Sequence, residues 1–312
     1  MQLTFDDLMK KPISIDKPIR LIELFGGVGS QAMALRNLGV NFEHYRLVEF
    51  DKYPVASYNA IHGTNFETMD IRNVHAEDLG IENTERFTYL LTYSFPCQDL
   101  SLAGKQRGMT KGTGTRSGLL WEVERLLTEC EQLSQDIKQR YGMPQILLME
   151  NVPQVHSKAN LEDFEQWCAF LKKMGYDSFY QDLNARDYGV AQNRNRCFMV
   201  SALGNYTYQF PNKIPLEKVM KDYLEEEVED KYYITSEKAQ KLIDTLILEG
   251  KIPTNERTNE RTNERTNRLV DMCDKHARFV EMPNTIKARY DAGIGNHKFD
   301  NTGVCEVDRL SE

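Results

Sequence analysis

The constraint that most limits the fold is a repeated alternation of short apolar runs with amphipathic stretches. Residues 19–25, IRLIELF, are a near-continuous apolar run ended by Gly26-Gly27, the pattern of a parallel strand covered on both faces. SQAMALRNLG follows, with Ala32, Leu35 and Leu38 on one helical face and Gly39 as a stop. Tyr45 to Phe50, YRLVEF, reads as a second strand. Strand, glycine turn, helix and strand in about 32 residues make a βαβ unit, and such units are right-handed almost without exception. The pattern then recurs. Tyr89 to Tyr93 reads as a strand, Leu119 to Leu133 as a helix, Gln145 to Met149 as a strand, Leu161 to Met174 as a helix and Cys197 to Ala202 as a strand. The expected fold class is α/β, a doubly wound, mostly parallel sheet whose ligands sit beyond the carboxyl ends of the strands.

At 312 residues the chain exceeds one ~150-residue domain, so two units of unequal size are expected. The alternating part is assigned to residues 1–203 and the remainder to 204–312. That remainder holds an acidic patch (Glu225, Glu226, Glu227, Glu229, Asp230), a helix expected from Ser236 to Leu248, and the tetrapeptide TNER three times in tandem. The patch reads as a solvated face. Residues 254–267 lack apolar side chains and read as an exposed flexible insert, with a binding arm carrying Arg257, Arg261 and Arg265 as the alternative. With 40% hydrophobic and 28% charged residues, the chain as a whole is expected to fold. No apolar run approaches the ~20 residues of a membrane span, and the N-terminus has no signal-peptide core, so no membrane and a cytoplasmic location are expected. The six cysteines lie without CxxC spacing, so neither a metal site nor a disulfide framework is expected. A net charge of -8 excludes a protein that coats nucleic acid by bulk charge and leaves a local basic cleft open.

The polar residues that carry chemistry fall at the strand ends. FGGVGSQ, Phe25 to Gln31, is a tight turn that lets a cofactor approach backbone N–H groups near Gly27 and Gly29. Phe25 either stacks on an adenine or belongs to the core. Glu49 stands at the end of the second strand, 20 residues after Gly29, where an acid accepts hydrogen bonds from ribose hydroxyls. Asp70, at the expected end of a third strand, can hold an adenine amino group while Ile71 covers the ring. Cys97 follows Pro96 at a strand end, and a polar, glycine-rich loop follows it. Between Asp99 and Glu122 that loop has Lys105, Arg107, Lys111 and Arg116 and no acid, a local +4 suited to phosphates. A cysteine at the base of such a loop is placed to act as a nucleophile.

Three elements complete the pattern in order behind FGGVGSQ: PCQ at 96–98, ENV at 150–152, and QxRxR formed by Gln192, Arg194 and Arg196. With these the chain resembles the cytosine carbon-5 DNA methyltransferases of bacteria and phages over about residues 18–203. The PCQ loop, with its GTRSGLLWE continuation, looks especially like the CG-methylating bacterial enzymes. The resemblance implies a Rossmann-like sheet of the S-adenosylmethionine-dependent methyltransferase type. It further implies a catalytic set of Cys97, Glu150, Arg194 and Arg196. Cys97 is the thiolate that adds to cytosine carbon 6, and Glu150 acts at ring nitrogen 3. Arg196 holds the carbonyl oxygen, Arg194 a phosphate or the closed loop, and Asn151 orients the loop or the Glu150 region. S-adenosylmethionine is placed against Phe25, Gly27, Gly29, Glu49, Asp70, Ile71 and Pro96. Duplex DNA with a flipped cytosine is placed against Gln98, Ser101, Lys105, Arg107 and Arg116. The family's closing blocks, an RxLTxxE-like segment and a GNS- or GNA-containing helix, are not found, although Pro283 to Lys298 resembles the stretch before the first. Residues 204–312 are therefore expected to form a small, incomplete target-recognition region. A second polypeptide supplying the rest, an interrupted gene product, or an unfamiliar ending would each account for this. The alternatives to DNA methylation are a binding chain without turnover and a tRNA cytosine methyltransferase.

Overall fold

Apolar runs too continuous to face water build the centre of the sheet. The computed structural model describes residues 10–100, 108–136 and 140–223, isolated helical positions at 241, 245 and 248, and the short strands Asn267–Asp271, Arg278–Val280 and Thr302–Glu306. The chain divides into two compact units, Met1–Leu183 with Arg196–Pro211, and Asn184–Asn195 with Asn212–Glu312. In the first unit six strands form one sheet: β1 (Ile19–Leu24), β2 (Phe42–Val48), β3 (Thr88–Tyr93), β4 (Ile146–Asn151), β5 (Tyr176–Asn184) and β6 (Asn195–Leu203). Their order is β2-β1-β3-β4-β6-β5. The β2/β1, β1/β3 and β3/β4 pairs are parallel, whereas β6 runs antiparallel to β4 with Asn151 opposite Cys197.

Helices cover both faces, as a doubly wound sheet requires. On one face Leu21 and Leu90 pack with Ala32 of α1 (Ser30–Asn37), and Leu47 packs with Val55 and Tyr58 of α2 (Lys52–His62). On the other, Ile22, Leu24, Leu91, Tyr93, Leu147 and Met149 share a core with the short α3 (Ala76–Leu79) and with the apolar stripes of α4 (Leu120–Asp136) and α5 (Leu161–Lys173). Trp167 of α5 is fully buried there and donates from Nε1 to the Tyr93 hydroxyl at 3.1 Å. No helix among the described residues is long and apolar enough to cross a membrane.

Five elements differ from the sequence expectation. β2 begins at Phe42 and ends at Val48 rather than spanning Tyr45 to Phe50. It is an edge strand with a half-exposed pattern, so Glu43 and His44 can belong to it and continuous apolarity does not mark its start. α1 stops at Asn37, and Leu38, expected on its buried face, is its exposed C-cap. No strand leads to Asp70. Its carboxylate instead caps the 3-10 turn Ile71–Asn73 by accepting from the Arg72 N–H. α2 and β5 were not anticipated. α2 starts at an Asp51 N-cap and carries Pro54 in its first turn, where an N–H has no helical partner to lose; β5 is the other edge strand and is mostly polar or aromatic. The expected helix at 236–248, the TNER insert and the 283–298 stretch lie outside the described residues apart from isolated positions.

Candidate active site

The first cluster forms where β1 and β2 end. Phe25 takes a positive φ of 58°, uncommon for a bulky residue, and its N–H donates to the Val48 carbonyl at 2.7 Å, so the chain turns sharply away from the sheet. Its ring is half-buried against the core. Beyond it, the Glu49 carboxylate is fixed by two backbone donors, the N–H of Gly27 at 3.2 Å and that of Asp51 at 3.1 Å. The two glycines named from sequence differ physically. A side chain at Gly29 would collide with Tyr58 and His62, so Gly29 is required by the approach of α2. At Gly27 (φ +56) a side chain would meet nothing within 4 Å, so this position opens on space beside Glu49. Gln31 of α1 reaches across to the end of β3, donating to the Ser94 hydroxyl at 3.2 Å.

Asp70 is held by its own neighbour. Arg72 Nε donates to its carboxylate at 2.9 Å, and these hydrogen bonds keep the Asp70 carboxyl below its ordinary range. Ile71 is 4% exposed and lies in the core cluster. The segment is clamped by Arg125 of α4, whose Nη2 donates to the Ile71 and Val74 carbonyls, both at 2.9 Å, while Glu122 and Glu129 hold the guanidinium. Sequence reading missed Arg125. Its flanking acids at i−3 and i+4 were the available signal.

The second cluster lies past the ends of β3 and β4. Cys97 is half-buried and has a free thiol, and the segment around it is fastened to the start of α4. Ser117 donates from Oγ to the Pro96 carbonyl at 2.6 Å and accepts from the Asp99 N–H at 3.3 Å. The buried Asp99 carboxylate accepts from the Arg116 N–H at 2.8 Å. Asp99 and Ser117 were also missed, because residues 18 apart leave no local signature. Asn151, 2% exposed, donates to the Phe95 carbonyl at 2.9 Å, tying the end of β4 to the Cys97 segment, and accepts from the Val152 N–H at 2.8 Å. Because β6 is antiparallel to β4, Arg196 at its start comes beside Glu150 at the end of β4. Arg196 Nε lies 3.1 Å from Glu150 Oε1, with both side chains mostly buried.

The structure thus brings Cys97, Glu150 and Arg196 to the carboxyl side of the parallel strands. Gln192 and Arg194 belong to the second unit, in the 184–195 arm, where the Arg194 carbonyl accepts from the Ala185 N–H at 2.9 Å. Of the cations expected to face phosphates, Lys111 is committed to Glu124 at 2.6 Å and lies over the Trp121 ring, and Arg116 donates to the Gln98 amide oxygen at 2.6 Å. Of these two only Lys111 is neutralised by an acid, and Arg116 keeps its charge. Ser101, Lys105 and Arg107 lie outside the described residues.

This is the layout of a Rossmann-like α/β enzyme, its polar groups gathered beyond the carboxyl ends of a mainly parallel sheet. Comparison with known proteins makes the class particular. Residues 19–303 match the family described as C-5 cytosine-specific DNA methylase, and the chain belongs to that family, hence to the DNA (cytosine-5-)-methyltransferases. The type II methyltransferase M2.ScrFI of Lactococcus lactis subsp. cremoris is 31% identical over 264 residues, 69% of this chain and 70% of that protein. The orphan methyltransferase M.SssI of Spiroplasma monobiae is 31% identical over 276 residues, 72% of this chain and 69% of that protein. Among solved structures, S. pombe Dnmt2 methyltransferase superposes with a TM-score of 0.54 at 20% identity, a likeness of fold that covers 71% of this chain and 64%, just under two thirds, of that one. A second polypeptide finds no support in these likenesses.

Proposed function

We propose that the chain transfers a methyl group from S-adenosylmethionine to carbon 5 of a cytosine flipped out of duplex DNA, through a covalent adduct on Cys97. The observation that carries this reading is the Glu150–Arg196 pair at 3.1 Å beside a cysteine segment that Asn151 anchors to the same strand end. The residues present fit the cofactor. Gly27 opens on free space, and Glu49, steadied by two backbone N–H groups, keeps carboxylate lone pairs for ribose hydroxyls. Phe25 borders the same turn. When bound, S-adenosylmethionine supplies an electrophilic methyl group.

Carbon 5 of cytosine is a poor nucleophile, and the Cys97 thiolate corrects this by adding to carbon 6. Glu150 donates a proton or hydrogen bond to ring nitrogen 3, and Arg196 holds the carbonyl oxygen, so the charge that addition puts on the ring is met by fixed groups. The resulting enamine is nucleophilic at carbon 5, towards the methyl group that bound S-adenosylmethionine would supply on leaving as S-adenosylhomocysteine. Transfer of the carbon-5 proton to water then expels the Cys97 thiolate and restores the ring double bond. Flipping the base costs a few kcal/mol, and Gln98, Arg116, Ser101, Lys105, Arg107 and Arg194 are assigned to the DNA around it. In this reading residues 1–203 are the catalytic domain, residues 204–312 contribute target recognition, and the enzyme serves restriction-modification or phage and host DNA protection in the cytoplasm.

The test is transfer of tritium from labelled cofactor to duplex DNA, together with covalent trapping on 5-fluorocytosine DNA. Cys97→Ser is expected to abolish both. Trapping that survives the substitution would refute the nucleophile, and tRNA outcompeting duplex DNA would refute the substrate.

A further inference from the structure

We propose that His156, Asp182 and Cys197 form a binding site for a zinc-class divalent transition metal that ties together the ends of β4, β5 and β6. This is the one group of three or more His, Cys, Asp or Glu side chains among the described residues whose potential ligand atoms converge, all lying within 4.8 Å of one another. The residues come from three separate elements: His156 from the 3-10 turn Pro153–His156 that follows β4, Asp182 from β5 and Cys197 from β6. None of them has a role in the methyl-transfer chemistry.

The geometry needs little rearrangement to take an ion. His156 Nε2 and Asp182 Oδ1 are 2.9 Å apart. Bonds of about 2.0–2.3 Å to nitrogen, oxygen and sulfur in a tetrahedral zinc site place the ligand atoms roughly 3.3–3.8 Å from one another. An ion entering between them has to separate the histidine–carboxylate pair slightly and draw the sulfur in by no more than about 1–1.5 Å. The His156 ring is already steered by aromatic neighbours, with the Phe164 and Tyr180 centroids at 5.8 and 5.6 Å. Cys197 is pinned by the β4/β6 register opposite Asn151 and is fully buried, so its sulfur faces the site from the protein side. His156 and Asp182 are 27% and 33% exposed, which leaves an entry path and room for a water as fourth ligand.

The donor set selects the class of ion. One thiolate, one imidazole and one carboxylate suit zinc, cobalt or cadmium, whereas magnesium and calcium require oxygen ligands. Binding replaces the Cys197 S–H proton with a metal–sulfur bond and releases that proton to solvent. Since Cys197 is next to Arg196, an ion here would stiffen the strand start from which Arg196 meets Glu150.

The test uses the whole chain, stripped with a chelator and titrated with Co²⁺ alone. One equivalent is expected to produce a near-ultraviolet thiolate-to-cobalt band with the visible bands of a tetrahedral site, and Zn²⁺ is expected to displace both. His156→Ala and Asp182→Asn, both at partly exposed positions, should each weaken binding tenfold or more. Cys197→Ser should remove the near-ultraviolet band, whereas Cys97→Ser should keep it. Absence of the band from the unmodified chain at saturating Co²⁺, or its persistence at full strength in His156→Ala and Asp182→Asn, overturns the site. Circular dichroism of each variant separates lost binding from lost folding, and a Zn²⁺-dependent rise in melting temperature that His156→Ala abolishes supports the proposal independently.

Discussion

Replacing Glu23 by Gln probes a buried acid that the methyl-transfer chemistry does not use. Glu23 is the penultimate residue of β1 and is wholly inaccessible to solvent. Its Oε2 accepts from the Tyr58 hydroxyl at 2.5 Å, and His44 Nδ1 lies 2.8 Å from that hydroxyl. Oε1 has no hydrogen-bond partner among the described residues. Burial pushes the carboxyl up from 4.5 to about 7 against the opposing hydrogen bonds from the Tyr58 hydroxyl and the Ala32 backbone. At about 1.36 kcal/mol for each pH unit, that rise corresponds to on the order of 3 kcal/mol of pH-dependent stability. The sign follows from proton counting. Between pH 4.5 and about 7 the unfolded chain has lost this proton while the folded chain keeps it, so the group's contribution is full below 4.5 and is lost as pH rises through about 7. Glutamine does not titrate. In urea unfolding of both proteins from pH 5 to 8.5, the stability of the variant minus that of the parent should climb with pH and level off above about 7.5, by an amount on the order of 3 kcal/mol. Using the difference cancels the titrating groups that are not coupled to Glu23. Two stability curves that stay parallel over that range would refute the buried-acid account, whatever their separation. The site would feel the same change, because Tyr58 and His62 pack against Gly29 and His62 Nε2 lies 3.1 Å from the Val28 carbonyl of the turn.

Other substitutions separate holding from chemistry. Asn151→Ala removes the donor to the Phe95 carbonyl and is expected to cost about 1–3 kcal/mol in chemical denaturation, since a buried acceptor loses its partner, and to lower kcat more than it raises KM for DNA. Glu49→Gln should raise KM for S-adenosylmethionine in steady-state assays by roughly tenfold, the order expected for one charge-assisted hydrogen bond. Glutamine has one acceptor oxygen for the two backbone donors, so a stability loss of about 1 kcal/mol should accompany it. Arg125→Ala leaves the Ile71 and Val74 carbonyls without their clamp and should destabilise by about 1–3 kcal/mol, with a parallel rise in KM for S-adenosylmethionine if Asp70 and Ile71 face the adenine. Arg196→Lys keeps the charge beside Glu150 but loses the planar fork, and single-turnover methylation should slow by at least tenfold while the circular dichroism spectrum remains unchanged.

What was legible in the sequence divides along a physical line. β1, β3 and β4 are buried on both faces, so apolarity alone reveals them, and α4 and α5 show their stripes because each presents one face to a deep core. β2 and β5 lie at the sheet edges, where a strand needs no such pattern, and there the reading slipped by three residues or missed the element. The site divides in the same way. Cys97, Glu150 and Asn151 stand in contiguous motifs, so residue type and order alone place them at strand ends. The groups that hold them do not. Ser117 supports Pro96 from 21 residues away, Arg125 reaches 54 residues back to Ile71, and Asp182 meets His156 across 26 residues. A single sequence carries no record of such pairings, since hydrogen bonds between distant residues are made by topology rather than spacing. The absence of CxxC spacing therefore argues only against a local metal motif. The antiparallel return of β6 is what sets Arg196 beside Glu150, and the same turn of the chain sets Cys197 beside Asp182.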